Sequence, residues 1–147
     1  MTETLGPMVG HVHSDELPWV TAGPVGLQVL RVSGGTWVVR NRFEAGFRLP
    51  THKHTGGVHA YTFSGRWRYA EYGVDYVAGT FIYEPPGSVH TLTIVEDSDI
   101  LFVIDGAFIE YDAEGNITGV TDGESTLNAY YALCDAAGIP RPDGILS

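Results

Sequence analysis

Residues 51–59 read THKHTGGVH, three histidines within nine positions around a pair of glycines. In a β-strand successive side chains alternate between faces, so His52 and His54 project together while Lys53 points away. Two imidazoles on one face also occur by chance in soluble proteins, but they can form part of a metal site, and a third from a neighbouring strand would complete three corners around one ion. Whether such a strand exists depends on the sequence on either side.

Working outward, Gly46 precedes His52 by five intervening residues, and Gly65 closes the segment. This resembles the first motif of the cupin superfamily: a glycine, five residues, His-x-His, three or four residues, a glutamate, six residues and a glycine. Counting back from Gly65, the glutamate position holds Val58. Downstream, Gly79, five residues, Pro85, one residue, Gly87, two residues and His90 resemble the second cupin motif, with Ile94 where an asparagine is common. Two separate patterns in the right order imply an all-β, cupin-type double-stranded β-helix (jelly-roll) barrel. The resemblance also implies metal ligands at His52, His54 and His90.

The surrounding sequence reads the same way. Short runs rich in β-branched and aromatic residues recur at 27–33, 36–43, 58–64, 66–72, 80–84, 90–96, 100–105 and 107–112, separated by turn residues such as Ser64-Gly65 and Pro85-Pro86-Gly87. After Ser125 the period changes. STLNAYYALCDAAG places Leu127, Tyr130, Tyr131 and Cys134 on one helical face, with Gly138 at the C-terminal cap and Pro140 beyond it. A single domain is expected over 1–147, with an arm at 1–25, the barrel at 26–112 and a closing helix at 124–138.

Composition narrows the partners. A chain of 147 residues, 44% hydrophobic and 18% charged, is long enough to bury one core. A net charge of −10 with only 8 Lys and Arg disfavours nucleic acid and anionic membranes. No apolar span or secretory leader is evident in MTETLGPMVG, and the single cysteine, Cys134, cannot form an internal disulfide, so a cytoplasmic protein is expected.

The missing carboxylate needs a substitute. With Ser64-Gly65 as a two-residue hairpin loop, Val58 pairs with Glu71, and Glu71 could act as a fourth ligand, as an acid behind the ligands, or as a solvated strand-end charge. A metal-borne hydroxide is the alternative general base to Glu71. On that register Val58, Trp67 and Tyr69 face inward and line a substrate pocket or the plain core. His59 falls on the opposite face from Val58, and His11 and His13 belong to the arm.

The stretches HKHTGGVHAYTFSGRWRYAEY and AGTFIYEPPGSVHTL also resemble the small single-domain cupins typified by 2,4'-dihydroxyacetophenone dioxygenase, and more distantly acetylacetone-cleaving dioxygenase. This resemblance implies non-haem Fe(II), with Zn, Ni, Mn or Cu accepted by the same histidines, and dioxygen-dependent cleavage of a C–C bond beside a carbonyl. A small ketone substrate, carboxylic acid products and a homodimer follow from it. Two other classes stay open: a metal-binding sensory cupin without catalysis, and a non-oxidative cupin enzyme such as an isomerase.

Overall fold

The structure, a computed structural model, describes residues 6–147. These form ten strands, one α-helix and a short 3-10 turn at Ser14–Glu16: β1 (Val20–Ala22), β2 (Val25–Ser33), β3 (Thr36–Phe43), β4 (Arg48–His54), β5 (Val58–Tyr69), β6 (Tyr76–Val77), β7 (Phe81–Glu84), β8 (Val89–Asp105), β9 (Phe108–Tyr111), β10 (Ile117–Thr121) and α1 (Gly123–Ala136). The sheet therefore extends beyond the expected 26–112 span at both ends.

Two strands organise the rest. β5 and β8 run antiparallel from Val58 opposite Ile104 to Tyr69 opposite Leu92. Each serves two layers of one curled sheet. The first half of β5 pairs with β7 and with the second half of β8, which continues through β3 and β2 to β1. The second half of β5 pairs with β6 and with the first half of β8, which continues through β4 and β9 to β10. This is the jelly-roll architecture.

The hairpin expected at Ser64-Gly65 is absent, because the chain passes straight on through β5. Register shifts at Thr62/Ser64, Ser64/Arg66 and Arg66/Trp67 mark an irregularity where the strand crosses from one layer to the other. Gly65 has φ +99°, and a Cβ there would collide with the Asp97 carbonyl and Ser98 on β8. The glycine thus serves a close backbone approach at the corner rather than a reverse turn. Likewise, the runs at 90–96 and 100–105 are one strand.

Between the layers lie Trp37, Val39, Val58, Ala60, Trp67, Ile94, Ile100, Phe102 and Ile104, all buried. Trp67, fully enclosed, donates from Nε1 to Thr62 Oγ1 at 3.0 Å. The helix begins at a capping box in which Asp122 and Ser125 satisfy each other's backbone N–H groups. It buries Tyr130 and Cys134 and packs on β1 and β2, where the Tyr130 hydroxyl donates to the Pro18 carbonyl at 2.6 Å. Gly138, at φ +68°, stands just past its end, as its position after the periodic run predicts. The arm is pinned by the buried Gln28, which donates to the Ser14 and Leu17 carbonyls. No helix among the described residues is long and apolar enough to cross a membrane.

The corner at Gly65 yields a test. Gly65→Ala is expected to lower unfolding free energy by about 2 to 4 kcal/mol through backbone strain and steric conflict. Urea denaturation measures this directly, and an unchanged midpoint would show that the corner tolerates a side chain.

Candidate metal centre

β4 ends with His52 and His54 on its inward face, and His90, near the start of β8, lies directly opposite His52 in the antiparallel pair. The turn between β7 and β8 locks this arrangement. Gly87 donates its N–H to the His54 carbonyl at 2.8 Å, and His54 donates its own to the Ser88 carbonyl at 3.1 Å. The proline and glycine of the second motif therefore hold the third histidine against the strand that carries the first two.

A fourth residue completes the group. Glu84, the last residue of β7, lies opposite Val58 in the strand pairing, and its carboxylate joins His52, His54 and His90. One ligand atom from each lies within 4.8 Å of the others, and all four residues are buried. Glu84 Oε1 approaches His54 Nε2 at 3.1 Å and His90 Nε2 at 2.5 Å. The three histidines come from one layer of the sheet, whereas the carboxylate comes from the other.

The contacts are close but poorly directed. Glu84 Oε1, His90 Nε2 and His54 Nδ1 are enclosed without a hydrogen bond of acceptable geometry among the described residues. Unpaired buried polar atoms are expensive, each about 1–3 kcal/mol, and an unpaired buried anion more so. A shared divalent cation would satisfy two of these atoms, Glu84 Oε1 and His90 Nε2, and three imidazoles with one carboxylate suit Fe, Zn, Ni, Mn or Cu. The donor set fits the metal that the motifs imply.

Neighbouring groups orient the donors. His52 Nδ1 lies 2.8 Å from the Pro50 carbonyl, which fixes a proton there and leaves Nε2 free for the centre. Tyr69 donates its hydroxyl to the outer oxygen of Glu84, Oε2, at 2.9 Å, and its ring lies 4.6 Å from that of His90. Burial pushes the His52 imidazole down to about 4, with the other two histidines adding to the effect and the Pro50 carbonyl and Glu84 opposing it. Burial alone would raise the Glu84 carboxyl, but contacts from His54 and His90 outweigh it and hold the group at about 2. Burial and the neighbouring Glu84 charge raise the Tyr69 phenol, which stays a hydrogen-bond donor.

The cluster opens into a cavity of about 230 Å³ walled chiefly by apolar side chains, among them Val39, Phe43, Phe47, Leu92 and Phe102. Val58 lines it as expected. Trp67 and Tyr69 do not: Trp67 is core, and Tyr69 stands behind Glu84. Glu71 also lies elsewhere. With no hairpin at Ser64-Gly65 its pairing with Val58 disappears, and its exposed side chain accepts the Thr91 N–H at 2.7 Å. The expectation of a carboxylate on a strand beside Val58 identified the right neighbourhood but the wrong strand. The available signal was alternation in FIYE, where Ile82 and Glu84 share a face, directly before the Pro-x-Gly turn. His59 is exposed on the outer face between Phe81 and Tyr83, while His11 and His13 are exposed in the arm.

A jelly-roll whose layers converge on three histidines and a carboxylate is a cupin with a metal-binding site. Residues 8–109 match the ChrR cupin-like domain family, and the chain belongs to it. Among solved structures, it is similar to an RmlC-like cupin protein from Ralstonia eutropha JMP134 (26% identity, 98% of each chain, TM-score 0.86). A protein of unknown function with a cupin-like fold from the same organism is 29% identical over 87% of this chain and 86% of that one, with TM-score 0.81. A putative acetylacetone dioxygenase from Methylibium petroleiphilum PM1 shares the fold at 19% identity over 84% of this chain and 95% of that one, TM-score 0.77. No curated protein sequence matches.

Replacing His52, His54 or His90 with Ala, or Glu84 with Gln, is expected to weaken metal affinity by at least roughly tenfold, and Tyr69→Phe by about tenfold through loss of carboxylate orientation. Glu71→Gln and His59→Ala should leave it unchanged. Chelator competition monitored by metal analysis distinguishes these sets.

The low His52 pKa also sets a pH dependence. As pH falls from 6.5 towards 4, the unfolded chain takes up a proton at this position before the folded chain does, so the metal-free fold loses stability across that window. Thermal melts of the metal-free protein between pH 4 and 7 should show this decline, and His52→Asn should flatten it.

Proposed function

We propose that this protein is an Fe(II)-dependent dioxygenase that cleaves the C–C bond beside the carbonyl of a small hydroxyketone or diketone. The observation that carries this reading is the position of the His52, His54, Glu84 and His90 cluster at the wall of a small, largely apolar cavity. Such a cavity desolvates an uncharged ketone and brings its oxygen atoms to the donors. The likeness to an acetylacetone dioxygenase supports the same chemistry.

Bound iron(II) would supply a Lewis-acidic centre for an enolised substrate and the electrons that activate dioxygen. The protein's part is binding, orientation and charge. Glu84 offsets one of the two positive charges of a divalent ion, so the centre still favours a mono-anionic chelating substrate. Both Glu84 oxygens are engaged, Oε1 at the cluster and Oε2 with Tyr69, so its part is to hold the ion and balance its charge rather than to take up a substrate proton. For a 2-hydroxyketone, the C–C bond breaks and both atoms of one dioxygen enter the products, giving two carboxylic acids. Tyr69 holds Glu84 from behind, while the apolar walls exclude water from the reacting carbons.

A sensory reading draws on the family's name, since ChrR is an anti-sigma factor in a structurally similar complex from Rhodobacter sphaeroides. Oxygen uptake separates the two. Iron-loaded protein supplied with 2-hydroxyacetophenone, 2,4'-dihydroxyacetophenone or acetylacetone is expected to consume one dioxygen per ketone cleaved, and Glu84→Gln to lower turnover at least roughly a hundredfold. Iron-loaded protein that binds these ketones without consuming oxygen would favour the sensory reading.

A further inference from the structure

Outside the metal cluster the cavity is lined by few polar side chains, and one of them, Asn41, stands on β3. Along β3, Trp37, Val39, Asn41 and Phe43 face inward in alternation, and Asn41 interrupts an otherwise apolar wall. Trp37 stacks with Phe108 at 6.3 Å, and Phe108 packs against His52 and His54. Asn41 lies four residues beyond Trp37, about 13 Å along an extended strand, and so stands in the part of the cavity away from the cluster, with Phe43 beyond it on the same strand. Two other polar residues line the space, Thr121 and Thr126. Thr121 pairs with Phe108 and belongs to the cluster end.

The amide orientation of Asn41 is set by its neighbour. Its Nδ2 donates to the Gly26 carbonyl on β2 at 3.1 Å, and a carbonyl can only accept, so the nitrogen must face that way. Oδ1 is left without a partner among the described residues. At Asn41 itself the space offers a ligand an acceptor rather than a donor. No lysine or arginine lines it, and its only anion is Glu84 at the metal cluster.

Resting on the ketone reading above, we propose that Asn41 is the specificity-determining residue of this cavity. Its Oδ1 accepts a hydrogen bond from a hydroxyl at the end of the substrate remote from the metal, and the absence of a cationic partner excludes substrates carrying a carboxylate or phosphate at that end. A space of about 230 Å³ holds roughly eight waters, which suits a compact molecule with one ring or a short chain. A carbonyl or ether at the same position would face oxygen with oxygen and be rejected.

The test uses zinc-loaded protein, in which affinity is read without turnover. Calorimetric titration compares acetophenone-type 2-hydroxyketones that carry a para hydroxyl, a para methoxy, a para carboxylate or hydrogen. The hydroxyl compound is expected to bind at least roughly tenfold tighter than the hydrogen compound, and the carboxylate compound not to bind. Asn41→Leu should erase that preference while leaving affinity for the hydrogen compound within about twofold. Asn41→Ser, which cannot reach across the space, should do the same and guards against a folding defect in the leucine variant. Equal affinity of the wild-type protein for the hydroxyl and hydrogen compounds would overturn the assignment of Asn41 and leave the ketone reading standing. Binding of none of the four by the wild-type protein would overturn both.

Discussion

The site depends on one uncomfortable arrangement, a carboxylate enclosed among imidazoles with no well-directed hydrogen bond on its inner oxygen. A fold does not keep a buried anion in that condition without compensation. Here compensation comes from two sides. Tyr69 satisfies the outer oxygen of Glu84 from within the protein, and the inner oxygen is aimed, together with nitrogens of His54 and His90, at a common point. That division of labour explains why a bulky phenol is buried behind the cluster instead of lining the cavity.

The two long strands make the arrangement affordable in conformational terms. Because β5 and β8 each pass through both layers, the pairing that sets the sandwich also sets the spacing between Glu84 and the histidines. Gly65 is the point where β5 changes layer, and its lack of a side chain lets the backbone of β8 approach. Core packing around Trp67 and Thr62 then fixes the corner from inside. Fold and site are therefore coupled through backbone register, with few side-chain intermediaries.

Much of this was legible in the sequence. The three histidines, their common face and the turn before His90 follow from alternation and from the spacing of Gly79, Pro85 and Gly87, which are local features. The closing helix was equally plain from its period and its terminal glycine. What failed was the choice between two uses of Ser64-Gly65. A serine and a glycine between two strand-like runs signal a hairpin loop on local grounds, yet here they form a corner inside one continuous strand, a distinction that depends on partners thirty residues away in β8. From that single choice came the misplacement of Glu71 and the assignment of Trp67 and Tyr69 to the pocket. Glu84 was missed for the complementary reason. Its strand is short, and pairing with Val58 is visible only once β7 is known to lie beside β5.

The origin of the four donors in two different layers has a mechanical consequence. Three of them ride on strands that are hydrogen-bonded to one another, so they move as a rigid tripod. The fourth stands on a four-residue strand joined to β5 alone, ahead of a proline-rich bend. A slight widening of the sandwich would draw that leg away while the tripod kept its grip. The β7–β8 turn, tied to the His54 backbone through Gly87 and Ser88, is then the joint that limits how far that leg can swing.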